Sequence, residues 1–245
     1  MSPHARETRP FASETKILID AALGERLRRW IRTNLEPDPH GGGPCRDEYR
    51  TTSIYFDTDR ADVFHRRGSF GRSKYRVRRY GAASSVFLER KLRKPGILVK
   101  WRTTVDLETL DRLATSGSYP DWPGTWFHRR LLLRQVAPVC QLSYSRIARF
   151  ARTPEGPARL TLDHDVRVSP VSTPRFTNGD GLIVLPGQMI LELKYRQHPP
   201  AIFKRLVEEF ALEATRASKY RLGMTALAGA GLAWPAVSAV GNARV

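Results

Sequence analysis

The stretch KYRVRRYG, residues 74–81, alternates charged or polar with apolar side chains at a period of two, and five further segments of the chain follow the same rule. Successive side chains on a β-strand point to opposite faces, so parity sorts them. Lys74, Arg76, Arg78 and Tyr80 share one face, with Tyr75, Val77 and Arg79 on the other. Phe87, Glu89 and Lys91 oppose Val86, Leu88 and Leu92, while Lys100 and Arg102 oppose Val99 and Trp101. Tyr144 and Arg146 oppose Ser143, Ser145 and Ile147, and Glu192 and Lys194 oppose Leu191, Leu193 and Tyr195. In ARLTLDHDVRV, Arg159, Thr161, Asp163, Asp165 and Arg167 oppose Leu160, Leu162, Val166 and Val168. A chain written this way builds a sheet with one charged face and one largely apolar face.

For any single strand the plain reading is a charged side in water over an apolar core. The six together argue otherwise, because solvent-facing strands mix charges to limit repulsion between neighbours, and here Lys and Arg dominate. The alternative is a curled or closed sheet whose apolar face is covered by helices and whose basic face lines a polar lumen. An empty lumen of that kind is electrostatically unfavourable, which implies a ligand with several phosphates and explains isolated carboxylates as partners of a divalent cation. The whole chain agrees: 41 Lys and Arg against 24 Asp and Glu give a formal charge of +17, the mark of a protein with a polyanionic partner. Nucleic acid is not the expected partner, since the lumen face offers mainly Tyr80 and Tyr144 where single-strand binders interleave many aromatics. Cys45 and Cys140 sit in no metal-binding or CxxC spacing, which fits a reducing, cytoplasmic setting, and the six histidines show no metal spacing.

Strands are expected near 13–20, 49–57, 73–80, 85–93, 97–105, 138–150, 158–168 and 182–196, and helices near 21–34, 59–66, 106–116, 126–136, 199–213 and 219–232. Loops fall at 37–45, at the KPGI turn (94–97), and at 116–124, 153–157 and 169–181. None marks a domain linker, so the expectation is one α+β domain over 13–232, an antiparallel eight-stranded barrel with flanking helices, between a polar lead-in (1–12) and a tail (233–245). The uncharged run Met224–Val240 is dominated by Ala and Gly and broken by Pro235. It falls short of the roughly 20 strongly apolar residues of a spanning helix, so no membrane span is expected.

The ordered series ETKILI (14–19), TTSIYFDT (51–58), KYRVRRYG, VFLERK (86–91), LVKWR (98–102), LSYSRIAR (142–149), RLTLDHDVR (159–167), LELKY (191–195) and SKY (218–220) resembles the catalytic domain of the vacuolar transporter chaperone (VTC) family. These are polyphosphate polymerases of the triphosphate tunnel metalloenzyme superfamily, and the resemblance spans roughly residues 13–222. It implies catalytic roles for Lys16, Arg76, Arg78, Lys91, Lys100 and Lys219, substrate binding by Tyr144, Arg146, Arg159 and Ser218, and a metal site, for Mn²⁺ or Mg²⁺, at Glu192 with help from Glu89 or Glu14. The implied reaction carries the γ-phosphate of a nucleoside triphosphate, ATP in the first instance, to a growing polyphosphate chain, with no covalent nucleophile.

Two departures matter. Related tunnel triphosphatases open with E-x-E-x-K, whereas the register here reads Ala12, Ser13, Glu14, Thr15, Lys16; the missing first carboxylate favours transfer over hydrolysis. Membrane-spanning segments attached to the eukaryotic polymerases have no counterpart, so the chain resembles the free-standing bacterial form. Arg79, Arg90, Lys94 and His164 read as outer-face side chains, and Asp163 and Asp165 as counter-charges to lumen arginines. The rival functions are a metal-dependent triphosphatase or polyphosphatase and a non-catalytic module that binds polyphosphate or inositol phosphates.

Overall fold

A computed structural model describes residues 13–94 and 97–232, and one antiparallel sheet organises it. In chain order the elements are β1 (Ser13–Asp20), α1 (Ala21–Asn34), β2 (Glu36–Pro37), β3 (Glu48–Asp57), α2 (Asp62–His65), β4 (Ser73–Tyr80), β5 (Ser85–Lys94), β6 (Ile97–Asp106), α3 (Thr125–Arg134), β7 (Ala137–Thr153), β8 (Gly156–Pro170), β9 (Leu182–Ile183), β10 (Gln188–Tyr195), α4 (Ala201–Glu209) and α5 (Lys219–Gly229). Two 3-10 helices, Gly68–Arg72 and Leu107–Ala114, join them. The ladder runs β1-β10-β8-β7-β3-β4-β5-β6, with β2 and β9 as two-residue additions to β7 and β8. The expected eight-stranded barrel is therefore a curled sheet of ten strands whose ladder stops at β1 and β6. Lys91 on β5 reaches Glu14 on β1 at 3.4 Å across the opening. The expected lead-in (1–12), tail (233–245) and centre of the KPGI turn lie outside the described residues.

Bulges supply the curl, because an unpaired residue bends a strand and steepens its twist. One lies where Tyr55 and Phe56 face Cys140 and Pro138. A second lies on β8 opposite Ser143 and Ser145, where Asp165 takes a positive φ of 47°. The extra residue reverses the alternation of β8, which corrects the simple parity reading. Arg159, Thr161 and Asp163 face the concave side, but Asp165 and Arg167 turn outward, where Asp165 pairs with both Arg50 and Arg167 at 2.7 Å. Val166 and Val168 turn inward instead and pack with Tyr220, Met224 and Leu227 of α5.

The convex face is apolar and covered. Leu27 and Ile31 of α1 and Phe203 and Leu206 of α4 pack on Ile17, Ile19, Leu160, Leu162, Leu191 and Leu193. Asp20 caps α1 by accepting from the Leu23 amide at 2.7 Å, and Gly24 lets the helix approach β10 closely, since a Cβ there would come within 2.5 Å of the Met189 sulfur and displace that side chain. On the other half, Phe127 and Leu131 of α3 and Leu110 and Leu113 cover Ile54, Phe56, Tyr75, Val77, Val86 and Leu88. The predicted strand 182–196 is divided at Pro186–Gly187, where Gly187 has a φ of +68°, and the predicted helix 106–116 winds as a 3-10 helix. No helix among the described residues is long and apolar enough to cross a membrane.

The concave face is shared between two chemistries. At one end, Tyr55, Cys140, Leu142, Tyr144, Val166, Val168 and Ile190 form an apolar floor on which α5 sits. Asp57 anchors this helix: its carboxylate accepts from the amides of Thr58, Val63 and Phe64 at 2.7–2.9 Å and from the Tyr220 hydroxyl at 2.5 Å. The Tyr220 ring stacks on Tyr55 at 5.2 Å. Tyr220→Phe keeps the stack and removes one hydrogen bond to a charged acceptor, so urea denaturation should show a loss of about 2 kcal/mol. A loss below about 0.5 kcal/mol would show that Asp57 does not hold α5.

Candidate functional site

Above that apolar floor the concave face encloses a cavity of about 780 Å³. Lys74, Arg76, Arg78, Lys91, Lys100, Arg102, Arg146, Arg159 and Lys194 line it, with Glu14, Asp38, Glu48 and Glu89 as its carboxylates. Every lumen strand contributes through the parity described above. The expected site residues Arg76, Arg78, Lys91, Lys100, Arg146, Arg159, Glu14 and Glu89 thus meet in one wall. Lys16, Tyr144, Glu192, Ser218 and Lys219 lie directly behind it, joined to it by the contacts below.

Three clusters neutralise part of the charge. Glu89, 2 % exposed, accepts from Arg76 Nε at 2.6 Å and Arg102 Nε at 2.7 Å, with Lys100 Nζ at 3.0 Å. Burial alone would raise its carboxyl, yet Arg76, Arg78, Lys100 and Arg102 hold it well below the usual carboxylate range. Glu192 lies 3.0 Å from Lys219, 3.1 Å from Lys194 and 3.4 Å from Lys16. Burial is again overcome, by Lys219, Lys16, Lys194 and Arg146, and the carboxylate stays ionised. Asp163 accepts two bonds from Arg146, at 2.6 and 2.7 Å, and a third contact from Lys219.

Other cations are held by hydroxyls. Arg78 donates to Ser53 Oγ and Tyr144 Oη, both at 3.0 Å, and Arg146 and Lys219 lie over the Tyr144 ring. Lys74 donates to Ser218 Oγ at 2.9 Å, and the same serine caps α5. Among the described residues Lys74 has no carboxylate partner. Its burial, with Lys16, Lys91 and Arg76 nearby, pushes its ammonium down to about 7. Tyr80, whose burial would raise it, is brought down to about 7 by Arg78 and Arg102 against the opposing Glu89.

The metal expectation meets a mixed arrangement. Glu14, Glu89 and Glu192 do not converge, and among the described residues no group of three His, Cys, Asp or Glu side chains could hold an ion. Both oxygens of Glu89 are engaged by guanidinium groups, the ion-pair role that the charge of its lumen neighbours also allows. Glu14 and Glu192 do approach one another: Lys16 Nζ lies 3.3 Å from one and 3.4 Å from the other. Burial and Glu192 would raise Glu14, but Lys16, Lys91 and Lys194 bring it to about 2. Two ionised carboxylates sharing one cation fit a divalent ion completed by phosphate oxygens, the mode Mg²⁺ favours, and not an all-protein cage.

Sequence reasoning left out Lys74, Arg102 and Lys194, although parity had placed them on the lumen face. It also missed the loop after β2, where Asp38 accepts from Arg159 at 3.0 Å and His40, Gly41 and Gly42 form part of the rim. No local signal marks that loop as functional; its role follows from where β3 enters the sheet. His164 sits off the lumen, 3.0 Å from Glu48.

A polyanion entering the cavity will favour the charged form of Lys74, so binding above pH 7 takes up a proton, and affinity weakens as pH rises through this range. Between pH 6 and 8.5 the dissociation constant for tripolyphosphate should rise more in the native protein than in Lys74→Arg, which stays charged. Parallel profiles in titration calorimetry would show that Lys74 does not titrate here.

The sequence of residues 11–228 matches the family model described as the VTC domain. Comparison with curated proteins gave no match. Among solved structures, a candidate adenylate cyclase from Bacillus halodurans is 18 % identical over 84 % of this chain and 92 % of its own, with a TM-score of 0.54. A candidate adenylyl cyclase from Hippeastrum, HpAC1, described as having a dominant triphosphatase activity, is 16 % identical over 91 % and 97 %, with a TM-score of 0.51. These similarities establish a shared fold, built on a curled antiparallel sheet. With nearly its whole length matched, the chain belongs to the VTC domain family.

Proposed function

We propose that the cavity binds a nucleoside triphosphate together with inorganic polyphosphate and transfers the γ-phosphoryl group to the end of the chain. The observation that carries this reading is the cation excess of the concave wall, focused in a cavity closed at one end by α5. A terminal phosphate oxygen of the chain attacks the γ-phosphorus, and the bond from that phosphorus to the β,γ-bridging oxygen breaks. Nucleoside diphosphate leaves, and the chain is one phosphate longer. The protein's task in such a loose transition state is alignment and charge neutralisation.

Arg76, Arg78 and Arg146 offer planar, paired donors to phosphate oxygens, while Lys91, Lys100 and Lys74 add point charges. Lys16, held between Glu14 and Glu192, supports the transferred group. Glu14 and Glu192 would hold a divalent cation, Mn²⁺ or Mg²⁺, which supplies Lewis-acid neutralisation of the phosphates. The carboxylates of the wall are already engaged by cations or, for Glu48, by His164, which among the described residues leaves none placed as a base for water. This favours transfer. A metal-dependent triphosphatase is the second reading, favoured by the activity described for HpAC1.

Incubation with ATP and Mn²⁺, following polyphosphate, free phosphate and ADP together, separates the readings. Transfer predicts polymer and ADP in step; free phosphate without polymer would establish hydrolysis, and binding without turnover a sensor. In the metal assignment, Glu192→Gln should weaken Mn²⁺ binding in the presence of tripolyphosphate at least tenfold, read by the electron paramagnetic resonance of free Mn²⁺. Unchanged Mn²⁺ binding would refute that assignment.

A further inference from the structure

The cavity is asymmetric along its length in a second sense: Tyr55 lies at the α5 end, stacked on Tyr220, while three other aromatic side chains gather at the end away from α5. Tyr49 opens β3 and Tyr80 closes β4, and their rings meet edge to face at 5.6 Å. Phe87 on β5 adds a third ring, 5.5 Å from Tyr80. All three line the cavity and are only half-buried. Lys74, which donates to Ser218 beside α5, lies six residues before Tyr80 at the other end of β4, about 20 Å away at strand rise.

The rings are fixed by the arginines of the phosphate wall. Tyr49 Oη accepts from Arg159 Nη2, and Tyr80 Oη accepts from Arg102 Nη2, both at 3.1 Å. Arg102 also lies 4.2 Å over the Phe87 ring. Base-stacking surface and phosphate-binding donors are therefore built from the same contacts and held in register. The adjoining rim is bare backbone at Gly41, where a Cβ would come within 2.4 Å of the Arg46 carbonyl oxygen. Positioning Arg159 and Arg102 accounts for the hydroxyls of Tyr49 and Tyr80, whereas the partly exposed ring surface that the three side chains turn to the cavity suits a flat base, since phosphate offers no π-face.

We propose that Tyr49, Tyr80 and Phe87 form a nucleobase platform at the open end of the cavity, which seats the nucleoside triphosphate base-outward with its phosphates directed toward α5. This rests on the reading of the cavity as a triphosphate site, and it makes a nucleotide, in preference to an inorganic chain, the phosphoryl donor. Stacking on a flat ring is tolerant of base identity, so several nucleoside triphosphates should bind with similar strength.

The test is the ratio of dissociation constants for ATP and inorganic tripolyphosphate, measured by titration calorimetry on the full chain with Mg²⁺ held constant. The ratio isolates the base, because Tyr49→Leu also releases Arg159 and so alters both ligands' phosphate contacts alike. The native protein should bind ATP on the order of tenfold tighter than tripolyphosphate. Tyr49→Leu should bring the ratio close to one, and Tyr49→Phe, which keeps the ring, should preserve it. Tyr80→Leu serves the same purpose if Tyr49→Leu does not fold. A native ratio near one, or a ratio unchanged in both leucine variants, would overturn the platform while leaving a polyphosphate site intact. Binding of neither ligand would instead overturn the phosphate reading beneath it.

Discussion

Like-charge crowding on the concave face is the constraint around which the rest of the structure is arranged. Lysines and arginines from strand after strand converge on one enclosed volume, and a low-dielectric wall strengthens their repulsion. Glu89, Glu192 and Asp163 answer it, each buried and each shared by two or more cations. Such carboxylates do not make the wall neutral. They hold guanidinium and ammonium groups in fixed places and leave an excess that a polyanion can satisfy. Lys74 marks the limit of this compensation: among the described residues it donates to a serine hydroxyl and has no carboxylate partner, and burial together with its cationic neighbours brings it down to about 7.

The apolar architecture serves that same wall. Two helical layers on the convex side let the sheet bury its hydrophobic face outward, which frees the inner face to be polar. At one end α5 reverses the logic by laying Tyr220, Met224 and Leu227 on inward-facing Leu142, Val166 and Val168. Its first residue, Lys219, then reaches Asp163 and Glu192, so the element that closes the cavity also takes part in its charge network. Packing and electrostatics are coupled through one helix.

Much of the site was legible because strand parity is a strict rule. Arg76 with Arg78, Tyr144 with Arg146, and Glu192 with Lys194 share faces as their spacing requires, and the family motifs selected among them. Parity failed at Asp165 and Arg167, where one residue in the left-handed region turns the rest of β8 over. Nothing in the local composition of LDHDVRV announces that bulge, since Asp tolerates the left-handed conformation without the help of glycine. Glu89 was legible as a lumen residue and as either a metal ligand or an ion-pair partner, but its pairing with Arg102 was not, because Arg102 sits opposite it on β6 and pairing across strands depends on register. The Tyr49–Tyr80–Phe87 cluster was hidden for the same reason: its members come from three adjacent strands and become diagonal neighbours only through the register of β3 with β4 and of β4 with β5.

Arg78 and Arg79 put the central claim to its most direct test, being adjacent in sequence and opposite in facing. Arg78 is buried against Ser53 and Tyr144 in the cavity wall, whereas Arg79 donates to the carbonyls of Ala82 and Ala83 on the outer side. Tripolyphosphate affinity, measured by titration calorimetry at low and raised salt, should fall on the order of thirtyfold in Arg78→Ala, the loss of about 2 kcal/mol of charge-assisted bonding. Arg79→Ala should stay within twofold of the native protein. Equal losses in the two variants, vanishing together at raised salt, would mean that the phosphate binds the protein's general positive charge and not this cavity.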